Sequence, residues 1–225
     1  MTLTTCRWSV AVAPDLGTTT VAFDPAPRPV GDVVIAFGHG ASTDLDHATV
    51  TSLAGALRAA GIHTARFNFL YMEARKGPPD RMPKLEACYS AVIQSIRERA
   101  QPGLLLAGGH SMGGRVASML AAEHQAIDGL ILCAYPLHPA GQPEKLRKDH
   151  LALIETPTLC FNGTHDELCT RVIMEPIVMP ITRWTMHWLE AADHSFKAPK
   201  RSGRTNADIL NEVTEAAGAW VKQLL

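Results

Sequence analysis

One serine stands where it could become a nucleophile. Ser111 lies in GGHSMGG, residues 108–114, so that Gly109, Ser111 and Gly113 fit G-x-S-x-G. The apolar run GLLLA precedes it and an apolar helical pattern follows from Met112. A serine on a tight strand-to-helix turn has a strained backbone, and side chains two positions to either side would strike the neighbouring strand and helix. Glycine removes those clashes. A helix starting at Met112 would aim its first amides at a reacting carbonyl, where they favour a developing oxyanion. Any glycine-rich turn with a serine matches the bare motif. The flanking strand and helix, with Gly114, supply the context that gives it chemical meaning.

Such a serine needs a base and an acid that follow it along the chain. The apolar run TLCFNG leads into Thr164-His165-Asp166-Glu167, which places Asp166 just past a strand end as the expected acid. An Asp capping the next helix is the structural alternative. Glu167 competes by adjacency and Asp193 by closeness to the histidine. The run RWTMHWLEAA leads into Asp193-His194-Ser195, which makes His194 the expected base. His187, inside that run, reads as a packed residue, and His165 as a weaker alternative base. For the oxyanion the expected donors are the Met112 and Ala41 amides, with Gly40 next to the latter, in the Gly38-His39-Gly40-Ala41-Ser42 turn.

Around this centre the candidates for substrate contact are His39, Gly40, His110, Arg75, Arg115 and Tyr135. His39 is read as a brace of its loop rather than a proton carrier. Basic residues recur in the surrounding loops: Arg75 and Lys76, Arg115, Lys145, Arg147 and Lys148, then Lys197, Lys200, Arg201 and Arg204. They suggest a rim that recruits an anionic ester. The alternative is a set of solvated charges, some paired with Glu73, Glu144 and Asp149. Residues 135–150 are the candidate cover, since strands and a crossover nearly fill the stretch from Ser111 to Asp166 and leave no room for a large cap domain.

The elements that must position these residues alternate. Residues 7–13 and 18–23 read as a first pair of strands. Further strands are expected at 32–37, 63–69, 103–107, 127–134, 158–161 and 183–189. Helices are expected at 46–60, 83–100, 112–124 and 206–225. The alternation predicts an α/β fold, a mostly parallel central sheet with helices on both faces, as one domain over 1–225. The serine turn, the acid and base loops and the oxyanion turn all fall at strand C-terminal ends, the edge where such sheets bind ligands.

The 225 residues are 46% hydrophobic and 19% charged, with a formal net charge of -1. That balance gives no reason to expect nucleic acid or an acidic membrane surface as partner. There is no basic-then-apolar N-terminal signal pattern and no apolar run near the roughly 20 residues that span a bilayer. The five cysteines form no CxxC pair and read as free thiols of a reducing, cytoplasmic setting. No Cys/His spacing suggests a metal.

The segments FGHGA, RFNFLYMEARKGPP, GGHSMGGRVASM, YPLHPAGQPEKLR and DHSFKAPKRSGRT go further. They resemble the α/β-hydrolase superfamily, within it the dienelactone-hydrolase-like family, and most closely the branch that includes testis-expressed protein 30. The resemblance covers nearly the whole chain after residue 30. It implies Ser111, Asp166 and His194 as the triad of a serine hydrolase. The chemistry expected is acyl transfer on a small ester or thioester, with no metal or organic cofactor, by a monomer or homodimer. A non-catalytic interaction module on the same scaffold, a lactone hydrolase and a peptidase are the rival readings.

Overall fold

Residues 5–75 and 77–225 are described by the computed structural model. Lys76, counted in the basic rim, lies outside them. Two N-terminal strands, β1 (Cys6–Ala13) and β2 (Gly17–Asp24), pair antiparallel. β3 (Val33–Gly38) then runs to the sheet's centre, and helix α1 (Ala48–Ala59) returns the chain to β4 (His63–Phe67). After α2 (Leu70–Glu73) and α3 (Met82–Ala100) come β5 (Leu104–His110), α4 (Met112–Ala122) and β6 (Gly129–Cys133). β7 (Thr158–Gly163), α5 (Arg171–Val178), β8 (Trp184–Leu189) and α6 (Asn206–Val221) complete the order.

The eight strands form one sheet in the order β1-β2-β4-β3-β5-β6-β7-β8. β2 meets β4 antiparallel, and every pairing from β4 to β8 is parallel. The continuous apolar runs explain why. β3 is buried at every position, with Val34 and Ala36 on one face and Val33, Ile35 and Phe37 on the other. The first face packs on α3, α4 and α5 through Leu85, Val92, Val116 and Met174. The second packs on α1 and α6 through Leu53, Leu57, Ile209 and Val213. Among the described residues no separate cap domain covers the sheet.

The differences from expectation have local causes. β4 stops at Phe67 rather than 69 because the Phe69 N–H leaves the ladder to donate to His39 Nε2 at 3.0 Å. β5 runs on to His110 because Gly109 still pairs with Gly38, and His110 with Cys133. α2 is four residues long, too short to show a period. α5 carries Pro176 in its interior, which removes an amide donor and hides the helix from a pattern search.

One buried hydroxyl holds β3 and β5 together just before the turn at Ser111. Tyr89, on α3, accepts the Gly108 N–H at 2.8 Å, and its own hydrogen faces the Ala36 and Gly108 carbonyls, both at 2.6 Å. Tyr89→Phe keeps the ring and takes the buried hydroxyl away from the Ala36 and Gly108 carbonyls. Losing such a buried hydrogen bond costs about 1–3 kcal/mol, so Tm in calorimetry should fall by about 2–4 °C for each of those kcal/mol. An unchanged Tm would remove this hydroxyl from the account of the fold.

Candidate active site

The turn between β5 and α4 puts Ser111 at φ 52°, ψ -114°, a left-handed conformation that a serine adopts only when its surroundings force it. The surroundings are backbone. A Cβ on Gly113 would lie 2.3 Å from the Gly38 carbonyl carbon, and one on Gly109 (φ 153°) 2.3 Å from the Gly38 oxygen. Glycine at both positions therefore lets β3, β5 and α4 touch. The Ser111 N–H donates to Cys133 O at 2.8 Å, which ties the turn to β6.

Ser111, His194 and Asp166 meet at the C-terminal edge of the sheet. His194 Nε2 lies 2.9 Å from Ser111 Oγ. His194 Nδ1 lies 3.0 and 2.9 Å from the two Asp166 carboxylate oxygens. Asp166 is only 2% exposed, and its other hydrogen bonds come from the Leu168 N–H (2.8 Å) and Asn162 Nδ2 (3.2 Å). A buried carboxylate with every oxygen engaged can orient the imidazole and stabilise its cation. The other candidates face elsewhere. Glu167 and His165 are exposed. Asp193 Oδ1 accepts from the Ser195 and Lys197 amides of its own loop. His187 sits on β8 with Nε2 2.8 Å from Glu212 Oε1.

Gly163 brings the acid loop and the base loop together. A Cβ there would lie 2.0 Å from Ala192 O, while the His165 N–H donates to that same oxygen at 2.9 Å. Asn162 was not foreseen in the sequence. It accepts the Tyr135 N–H at 3.2 Å as well as donating to Asp166. Its one visible signal was a polar residue closing an apolar strand.

A cleft of about 490 Å³ opens beside Ser111. Met112 and Ala41 line it, the two residues expected to offer oxyanion amides. The Met112 N–H, at the first position of α4, has no acceptor within its helix. The Ala41 turn is held from behind by Tyr71, whose Oη donates to Ala41 O at 2.8 Å. Met82, Leu85 and Leu168 give the cleft apolar walls, and Pro136, His138, Pro139 and Ala140 of the 135–150 segment form one side.

Of the six residues expected to touch substrate, only Arg115 lines this cleft. His39 is wholly buried, its Nδ1 2.7 Å from Gly40 O and its Nε2 taken by Phe69, so it braces the loop. Gly40 is buried beneath that loop. His110 is 6% exposed and turned toward the His194 main chain. Tyr135 is buried and donates to Arg147 O at 2.9 Å. Arg75 is exposed to solvent outside the cleft. The basic rim also contracts. Arg204 pairs with Glu212, and among the described residues Arg115 and Arg147 are the Lys and Arg side chains facing the cleft.

A family model described as Alpha/beta hydrolase domain matches residues 31–222. Solved structures share the fold. An alpha-beta serine hydrolase homologue from Coxiella burnetii gives a TM-score of 0.76 at 20% identity, covering 96% of this chain and 99% of that one. A serine hydrolase from Xanthomonas campestris described as without lid gives 0.74 at 23%, covering 98% and 96%. A dienelactone hydrolase from Anabaena variabilis gives 0.72 at 18%, covering 98% and 99%.

Burial also makes a pH prediction. It pushes His39, His110 and His150 from 6.5 down to about 4, although backbone hydrogen bonds partly oppose it at the first two. In the unfolded chain all three titrate near the ordinary value. Between those limits the unfolded chain binds more protons, so stability is full above about pH 6.5 and is lost as pH falls toward 4. Tm followed by calorimetry should be level near neutrality and drop steadily through that window. A level Tm down to about pH 4.5 would contradict the neutral buried imidazoles.

Proposed function

This chain belongs to the alpha/beta hydrolase domain family, and we propose that it is a serine hydrolase cleaving small acyl esters or thioesters through an acyl-enzyme at Ser111. The observation that carries this reading is the unbroken hydrogen-bonded chain Ser111–His194–Asp166 at the mouth of an open cleft. Within the family we place the chain beside the branch that includes testis-expressed protein 30, on the strength of YPLHPAGQPEKLR and RSGRT.

The chemistry follows from the positions. His194 Nε2 takes the Ser111 proton as Oγ attacks the substrate carbonyl carbon. The carbonyl oxygen becomes an oxyanion beside the Met112 and Ala41 amides. Asp166 stabilises the imidazolium through Nδ1–H. His194 then returns the proton to the leaving alcohol or thiol as the acyl bond breaks. Water, deprotonated by the same nitrogen, attacks the acyl-enzyme and releases the acid and free Ser111.

We also propose a preference for anionic substrates. Arg115 and Arg147 line the Ser111 cleft, and neither meets a carboxylate among the described residues. The Arg115 Nε has no partner, and burial together with the Arg115 charge makes Arg147 easier to deprotonate than usual. Asp80, the one acid lining the cleft among the described residues, is held by Lys84 at 3.0 Å. A substrate carboxylate or phosphate would relieve the two guanidinium groups.

A fluorescent fluorophosphonate should label the wild type and leave Ser111→Ala unlabelled. A folded wild type that takes no label would favour the interaction-module reading. For the anion preference, Arg115→Gln and Arg147→Gln should each lower kcat/KM on an anionic ester by about 10- to 100-fold. A neutral ester of the same shape should change little. Equal losses on both esters would remove the preference and leave the serine chemistry standing.

A further inference from the structure

The residue before the nucleophile has no part in the proton transfers above, yet it is the one whose ring reaches the base's loop. His110 ends β5 and is 6% exposed. Its Nε2 lies 2.8 Å from the main-chain oxygen of His194. A carbonyl only accepts, so Nε2 carries the hydrogen, and in a neutral ring Nδ1 is then bare. That Nδ1 is buried without a partner. It faces Gly40, where a Cβ would sit 3.0 Å away. The His110 and His194 rings are 5.3 Å apart between centroids.

An unpartnered buried nitrogen is costly, and an apolar side chain of similar size would avoid the cost. What an apolar side chain lacks is the Nε2–H. From this contact we infer that His110 is a positioning residue, a donor that fixes the His194 main chain relative to Ser111 while its other edge backs the Gly40–Ala41 turn.

The base's loop shows why it needs a tether. Asp193 shapes it internally, accepting from Ser195 (2.8 Å) and Lys197 (2.9 Å), and Phe196 is left-handed at φ 59°. Those bonds set the loop's own form, not its distance from the β5–α4 turn. His110 supplies that distance from the residue covalently joined to Ser111. A shift of the turn therefore carries the base with it. The opposite edge of the ring lies against Gly40, next to Ala41, without a hydrogen bond. Nucleophile, base and oxyanion turn share one imidazole as spacer.

This inference rests on the acyl-enzyme reading for its kinetic consequence, but its structural readout needs no turnover. His110→Met and His110→Gln have side chains of like length, and only Gln can donate to the His194 oxygen. His110→Phe is a second variant without a donor that fills the ring's volume. The rate constant for fluorophosphonate labelling at saturation should fall about ten- to a hundredfold in Met and Phe, with the probe's half-saturating concentration nearly unchanged. Gln should recover most of the rate. The downfield proton NMR signal of the His194–Asp166 bond should be sharp in wild type and Gln, and broadened or lost in Met and Phe. Wild-type labelling and a sharp signal in Met or Phe would overturn the role, and so would a Gln variant as slow as Met. A wild type that never labels would sink the hydrolase reading alone, because the NMR comparison would still decide whether His110 holds His194.

Discussion

The site depends on backbones touching where β3, β5 and α4 meet. With Gly38, Gly109 and Gly113 in contact, any Cβ at the last two would lie 2.3 Å from Gly38 backbone atoms. That contact leaves the Ser111 turn only one way to go, into a left-handed conformation that lifts Oγ clear of the sheet. It also starts α4 immediately at Met112, so the free amides of the first helical turn lie next to the hydroxyl. The strain is affordable because the sheet beneath is buried on both faces and cannot relax around it.

The second centre of the site repeats the device at longer range. Gly163 ends β7 against Ala192 with no room for a side chain, so the loops after β7 and β8 arrive together. Asp166 is thereby buried, and burial of a carboxylate is tolerable only with its oxygens fully engaged. Asn162, Leu168 and His194 do this. The charge that orients the base is thus also what holds two loops in register. The proposed chemistry and local stability draw on the same bonds.

Much of this was legible because it is written in residue types that have few other uses. Apolar runs bounded by glycine named the buried strands, and G-x-S-x-G in a strand-to-helix setting named Ser111. Asp166 and His194 followed from chain order and strand ends. What stayed hidden depends on side-chain direction, which periodicity does not carry. Nothing in the string GGHSMGG tells that His110 turns away from the cleft while Arg115, one helical turn on, faces it. Tyr135 and Arg147 lie in one segment, yet the first is buried as a hydroxyl donor to the second's carbonyl. α2 and α5 escaped for a different reason, one too short and one interrupted by Pro176.

This division separates what the fold makes rigid from what it leaves free. Ser111, Asp166 and His194 stand past strand ends and at a helix N-terminus, fixed by main-chain contacts within the sheet's edge. The cleft walls come instead from the 135–150 segment and the start of α3, the segment being joined to the centre by bonds such as Tyr135 N–H to Asn162 Oδ1 at 3.2 Å and His138 N–H to Leu168 O at 3.2 Å. With no cap domain among the described residues, the shape of the cleft rests on that short segment, on the start of α3 and on the first turn of α4. Those walls can change in charge and shape without moving Ser111, His194 or Asp166. One sheet edge can therefore carry many different clefts, and Arg115 and Arg147 are the described basic residues that give this one its charge.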